Sequence, residues 1–352
     1  MTKPTLIRAE SPRHARIIAI WLLIGCALVA STVVLGGVTR LTGSGLSMVD
    51  WEPVSGVVPP LNAESWEREF AAYRDFPEYR LLNEGMSLAE FKRIFWFEYA
   101  HRVLGRVIGL VFIVPFALFL WRRIIPRALI PRLLLIFALG GAQGLLGWWM
   151  VQSGLVDVPR VSPYRLTAHL ALAVLVYALL LWTALTLLRP GVGRAEPGSS
   201  SDDGLRRWSA VVLGLAALTI LSGGFVAGLD AGFVHNTFPK MGDDWIPPDL
   251  LAATPWWLNL FENRTTVQFD HRVLAMLLLA SGTALWWVSG RRAGRVAGRW
   301  AHASFVAVWA QATLGVGTLL LFVPIPLAAL HQTNALVLFT ALLGLTFELR
   351  RR

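Results

Sequence analysis

The sequence of 352 residues is 55% hydrophobic and only 15% charged, so most of it is suited to an apolar surrounding. Its formal net charge of +10 does not mark a nucleic-acid surface, because the positive residues gather in short segments between apolar stretches. Cys26 is the only cysteine, which excludes a disulfide framework and a Cys-x-x-Cys metal site.

About 20 mostly apolar residues cross the roughly 30 Å of hydrocarbon in a bilayer. Eight such stretches occur, near 17–38, 101–122, 131–151, 165–188, 207–229, 271–289, 299–321 and 327–347. They predict an all-α integral membrane protein with eight transmembrane helices. The first is too long for a cleaved signal and lacks a clear small-residue cleavage site, so it is expected to be retained. Lys3, Arg8, Arg13 and Arg16 precede it. The clusters Arg122/Arg123/Arg127/Arg132, Arg291/Arg292/Arg295/Arg299 and Arg350–Arg352 fall on the same side. If both termini are cytoplasmic, that side holds 19 of the 32 Lys and Arg but five of the 22 acids, as the positive-inside rule requires. The N-terminal segment is short for a mitochondrial transit peptide, which favours a bacterial cytoplasmic membrane.

The first outer connection, about 39–100, is rich in Gly, Pro and Trp, and the second, about 230–270, is similar. Both are expected to form ordered lids. In the first, Ser87-Leu88-Ala89-Glu90 has the form of a capping box. A helix starting there runs through Phe95, Glu98 and His101 into span 2, with Glu98 and His101 on one face. The stretch Arg189–Arg207, with Pro190, Gly191, Gly193, Pro197, Gly198 and Ser199–Ser201, reads as a flexible cytoplasmic linker. The paired tryptophans Trp148/Trp149, Trp256/Trp257 and Trp286/Trp287 fit interfacial belts.

The chain repeats itself once. Gly36-Gly37 recurs as Gly223-Gly224, Gln143 as Gln311, His101 as His271 and His169 as His331. Four spans separate the copies, so both have the same orientation. The repeat predicts two four-helix bundles related about an axis along the membrane normal, with a first half over 1–190, a linker over 191–206 and a second half over 207–352.

An ionisable side chain inside a span costs about 2.5 kcal/mol or more when charged, so it marks function by default. His101, His169, His271 and His331 lie in the first turn or so of the even-numbered spans. Two of them open near-copies, His101-Arg102-Val103-Leu104 and His271-Arg272-Val273-Leu274. The even-numbered spans run the same way, so each half brings two histidines to one depth. Facing imidazoles are a standard axial pair for haem iron in a bundle. His101 with His169, and His271 with His331, are therefore candidate haem-iron ligands. A packed or interfacial histidine accounts for any one of them, but poorly for four in a repeated pattern. His14, His235 and His302 break the pattern and are not expected to bind iron. No Cys-x-x-Cys-His is present for covalent haem.

Arg102 and Arg272 directly follow ligand candidates, and Arg106 stands one turn on. They are candidates for haem propionates, or else anchors at the interface. Gln143 and Gln311 either enter a haem pocket or bridge helices. Gly36, Gly37, Gly140, Gly141, Gly144, Gly223 and Gly224 leave room for a flat ring, or simply let helices pack closely. Glu98 distinguishes the halves, because the equivalent position before His271 holds Val267. A carboxylate at one of two haems suits proton-coupled oxidation there; the plainer reading is an acid at the membrane rim.

Several longer motifs resemble one family. Gly36-Gly37-Val38-Thr39-Arg40-Leu41-Thr42-Gly43-Ser44-Gly45-Leu46-Ser47 with Trp51 and Pro53 is similar to haem A synthase. So are Glu98-Tyr99-Ala100-His101-Arg102, Asn236-Thr237-Phe238-Pro239-Lys240-Met241 with Trp245 and Pro247, and His331-Gln332-Thr333-Asn334-Ala335. The resemblance covers essentially the whole chain. It implies oxidation of the C8 methyl of haem O to a formyl group by two successive hydroxylations, giving haem A for cytochrome c oxidase. It also implies that His101 and His169 serve the substrate haem, with Glu98 as an essential carboxylate beside it, and that His271 and His331 ligate a haem b cofactor. Some members carry a cysteine pair in the outer loops. This chain has none, so it looks like the mitochondrial and alphaproteobacterial branch, and no disulfide-linked step applies to it.

The expected partners are the lipid bilayer, a haem O synthase and an electron donor that the sequence does not identify; a homo-oligomer is compatible with the reading, and nucleic acid is not. One rival is a diheme b-type cytochrome that only transfers electrons, which leaves Glu98 and the outer motifs without a role. A second is a transporter or haem carrier, but such repeats place broken helices at the midplane, whereas the ionisable residues here cluster near the outer ends.

Overall fold

The computed structural model describes residues 11–49, 55–156, 158–189, 200–292 and 294–351. Eight helices in it are long and apolar enough to cross a membrane. In the first half these are α1 (Pro12–Leu41), α4 (Leu88–Trp121), α5 (Ile130–Gln152) and α6 (Pro163–Leu188). Two short helices, α2 (Ala63–Arg74) and α3 (Pro77–Leu82), lie in the connection between α1 and α4. The second half has α7 (Ser200–Gly228), a four-residue turn α8 (Asn259–Glu262), α9 (Arg264–Arg292), α10 (Arg295–Leu320) and α11 (Ile325–Arg350). α7 begins at Ser200, inside the stretch expected as linker. Residues 190–199 of that linker, and Trp51 and Pro53 of the first lid, lie outside the described residues.

Local chemistry explains the helix starts. Ser11 caps α1 by accepting from the His14 N–H at 3.2 Å, with Pro12 next in line; proline is pre-set for a first turn, where its missing N–H is no loss. At α4 the capping box forms as read: the Glu90 N–H donates to Ser87 Oγ at 3.3 Å, and the Ser87 N–H donates to Glu90 Oε2 at 2.8 Å. The 34 residues of α4 span about 51 Å at about 1.5 Å each, well beyond the roughly 30 Å of hydrocarbon. Its first turns therefore stand above the apolar layer and carry Glu98 and His101 into the lid region.

Packing is uneven along the bundles. In the first half the buried core joins Ile18, Leu22, Cys26, Phe116, Leu133 and Leu180, all in the portions of the helices nearer the termini. In the second half Val212, Leu285, Ala301 and Leu342 do the same. The four histidines stand beyond both cores, towards the lids. A separate aromatic cluster forms the first lid, where Phe70, Tyr73, Phe91 and Phe95 are almost wholly buried with Leu46 and Met48. Each such side chain contributes about 1.5–3 kcal/mol on burial. Within it the Tyr73 hydroxyl donates to Glu78 Oε2 at 3.0 Å and accepts from Asn83 Nδ2 at 2.7 Å. Burial pushes the Glu78 carboxyl up to about 7, the Tyr73 hydrogen bond opposes this, and the Glu98 charge adds to it.

The halves meet through α1 against α11, and through α6 against α7 and α11. The Tyr177 and Thr340 hydroxyls bond at 2.7 Å across this seam. On the lid side, Asp230 bridges them by pairing with Arg40 at 2.7 Å and Arg160 at 2.6 Å. Asp230 has φ of 53°, a left-handed conformation that Asp tolerates better than most residues.

Candidate functional site

Each of the four histidines lies in a notch made by a glycine on a neighbouring helix. A methyl group added at Gly36 of α1 would come within 2.7 Å of His101 Cε1, and one at Gly147 of α5 within 2.9 Å of His169 Cε1. In the second half, Gly223 of α7 stands in the same way to His271 Cε1 at 3.3 Å, and Gly315 of α10 to His331 Cε1 at 2.8 Å. Gly147 and Gly315 escaped the sequence reading. They sit four residues after Gln143 and Gln311, so the repeat offset that joins the glutamines also joins these glycines.

The two pairs come together within their own halves. The His271 and His331 ring centroids are 6.5 Å apart, with the rings at 76°. Two imidazole–metal bonds of about 2 Å each, plus the radii of the two rings, nearly fill that separation. His101 of α4 and His169 of α6 stand on helices that both pack against α1 and α5. Among the described residues, no group of three or more His, Cys, Asp or Glu could hold a bare metal ion. The donor set thus suits an iron whose four equatorial positions belong to a porphyrin. Gly140, Gly141 and Gly144, expected to leave room, face open space.

The hydrogen bonds behind the rings differ between halves. His271 Nδ1 and the Ser222 hydroxyl bond at 2.7 Å. Gln311 Nε2 lies 3.2 and 3.3 Å from the two ring nitrogens of His331, and is itself oriented by Asn334 Nδ2, which donates to Gln311 Oε1 at 2.8 Å. In the first half, Leu35 and Leu172 occupy the positions of Ser222 and Asn334. There Nδ1 of His101 and of His169 has no side-chain partner, although His101 faces the Thr32 backbone as His271 faces that of Thr219. Gln143 does reach His169, with Nε2 3.0 Å from its carbonyl oxygen and 3.4 Å from its Nε2. A ring N–H donated to an acceptor raises the basicity of a ligand imidazole and holds its orientation. The Ser222 hydroxyl is able to accept in this way, whereas the Gln311 amide nitrogen only donates and orients the ring.

Glu98, 3% exposed, is fully engaged. Its Oε2 accepts from the Ser47 hydroxyl at 2.7 Å and from the Met48 N–H at 2.9 Å. Its Oε1 accepts from Arg102 Nε at 3.1 Å and Nη2 at 2.7 Å. Arg102 Nη2 also donates to the Met48 carbonyl at 2.7 Å. The carboxylate and guanidinium together pin the segment after α1 to α4, within one turn of His101. Val267, at the matching place in the second half, is buried in a small apolar cluster with Leu229 and Ala231.

Arg272 closes the other lid by a parallel device, donating to the backbone carbonyls of His235 at 2.7 Å, Thr237 at 2.9 Å and Lys240 at 3.2 Å. Arg102 and Arg272, two of the three arginines read as propionate candidates, thus hold lid backbone. His235 meets the site through its carbonyl, while its Nε2 lies 3.5 Å from Thr265 Oγ1. Asn236 secures the same loop by donating to Gly232 and Leu319 carbonyls at 2.9 and 2.7 Å. His302 stacks on Phe305 near the opposite end of α10.

Residues 19–343 match the family described as cytochrome oxidase assembly protein. The chain is 51% identical to the heme A synthase of Nitrosospira multiformis, covering 95% of this chain and 94% of that one. It is 49% identical to the heme A synthase of Parvibaculum lavamentivorans, covering 94% and 93%. The human protein named heme A synthase COX15 is 48% identical, over 98% of this chain and 85% of its own length.

Proposed function

The chain belongs to the haem A synthase family of cytochrome oxidase assembly proteins, and on that premise we propose how its two halves divide the work of making haem A. The first half, with His101, His169 and Glu98, receives haem O as substrate and is where the C8 methyl is oxidised to a formyl group. The second half, with His271 and His331, retains haem b. The eight apolar helices, and relatives alike over most of their length, mark a multi-pass membrane enzyme of haem A formation.

The observation that carries this division is the unequal support behind the rings. Ser222 and the Asn334–Gln311 pair fix the second pair of imidazoles, as suits a group kept through every turnover. The first pair lacks those bonds at Nδ1, as suits a group that must arrive and leave. A haem b in the second half would supply one-electron storage. The residues of the first half bind and orient the substrate, while the aromatic lid keeps bulk water off the reacting methyl. Glu98 holds that lid shut through the Ser47 hydroxyl, the Met48 N–H and Arg102. The same orientation puts both termini in the cytoplasm and the lids outside, with a haem O synthase and an electron donor as partners.

Extraction of non-covalent haem from membranes co-expressing this chain with a haem O synthase tests the reading. Haem A that appears only with the chain present is expected. Haem O left unchanged, with a reducing system supplied and haem b retained, would favour the purely electron-transferring alternative.

A further inference from the structure

The double glycines of α1 and α7 do two different things at adjacent positions. Gly36 seats His101 of its own half, whereas a methyl at Gly37 would overlap the Gln332 side-chain amide of the other half. Gly223 likewise faces His271 of its own half, and Gly224 faces Thr167 and Leu170 of the other, at 3.0 and 3.4 Å. Gln332 follows His331, and Leu170 follows His169. Each pair of glycines therefore touches one histidine directly and reaches the neighbour of a second histidine across the seam.

At this seam the repeat is not exact. Leu170 makes only an apolar contact with its glycine, but Gln332 Nε2 donates to the Val33 carbonyl of α1 at 2.6 Å. Within an α-helix that carbonyl also serves the N–H four residues on, which is Gly37. The Gln332 amide thus lies flat against α1, with its nitrogen bonded one turn before the glycine. Only glycine at 37 allows so close an approach between helices of the two halves.

We propose that Gln332 is a positioning residue that sets the His331 imidazole from the opposite half, so that α1 registers the two histidine pairs against each other. This rests on reading His271 and His331 as ligands of a retained haem. It deepens that reading, since passage of electrons between two haems depends steeply on a fixed separation.

The test uses the full-length protein purified in detergent with its retained haem, comparing electron paramagnetic resonance spectra, midpoint potential and haem loss to apomyoglobin. Gln332→Leu, which installs the residue of the other half, is expected to keep full haem content. It should shift the resonance and the potential, and quicken haem loss about fivefold, the effect of one hydrogen bond of ordinary strength. Gly37→Ala should shift the same retained-haem signals although it lies in the first half. Gly36→Ala, one residue away, should leave them in place. Adding Gln332→Ala to Gly37→Ala should restore helix contact without adding to the shift.

Unchanged signals in Gln332→Leu, or equal shifts from Gly36→Ala and Gly37→Ala, would overturn the proposal. Should Gly37→Ala fail to fold, Gln332→Leu decides alone. A wild-type protein that retains no haem in its second half would instead refute the division of the halves.

Discussion

Replacing Glu98 with glutamine keeps the size of the side chain and removes its charge. The carboxylate accepts four hydrogen bonds, two of them from the Arg102 guanidinium. An amide has one acceptor oxygen, so it either turns its NH2 towards Arg102 or leaves the buried Met48 N–H without a partner. Losing two charge-assisted bonds at about 1.5 kcal/mol each costs about 3 kcal/mol. At about 1.4 kcal/mol per tenfold, local opening of the segment after α1 should become about a hundredfold more frequent. Hydrogen exchange on peptides covering Ser44–Val49, with α2 as the internal reference, measures this directly. Haem A formation should fall in the same variant. Unchanged protection of Ser44–Val49 would refute the clamp, and lost product with protection intact would assign Glu98 a purely chemical part.

Glu78 gives the first lid a pH dependence. Its carboxyl rises from 4.5 to about 7 through burial, so between those values the folded lid binds a proton that the opened one releases, and stability falls as pH rises across that window. Exchange protection of Glu78–Leu82 should drop from pH 5 to pH 7 and level off above, and Glu78→Gln should flatten the profile; a wild-type profile already flat would contradict the assignment. Gly315→Ala should weaken retention of the second-half haem, because its methyl would come within 2.8 Å of His331 Cε1. Gly317→Ala, on the same helix and facing open space, should be neutral or stabilise by about 1 kcal/mol. Thermal unfolding and haem content of the two variants check both.

The membrane class and the eight spans were legible in the sequence because each rests on a compositional signal, and the repeated pattern pointed to four histidines that the fold seats alike against glycines. The start of α4 was legible too, since a capping box is a short-range device. Helix ends were less so: α7 extends back to Ser200 because Ser, Asp and Gly weaken a helix without forbidding it. The arginines after the histidines were legible as cations beside each pair, but the lid carbonyls they hold were not, since these lie 32 to 54 residues away in the chain. Gly147 and Gly315 looked like ordinary small residues, since what makes them specific is a ring contributed by another helix. The same holds for Gln332, whose partner Val33 lies about 300 residues earlier in the chain. Contacts of that separation leave no local trace.

The central claim is the division between halves, and the most direct test is the haem content of histidine variants purified after co-expression with a haem O synthase. His271→Ala or His331→Ala should lose or visibly disturb the retained haem b. His101→Ala or His169→Ala should keep that haem and make no haem A. Equal loss of haem b from substitutions in either half would contradict the account.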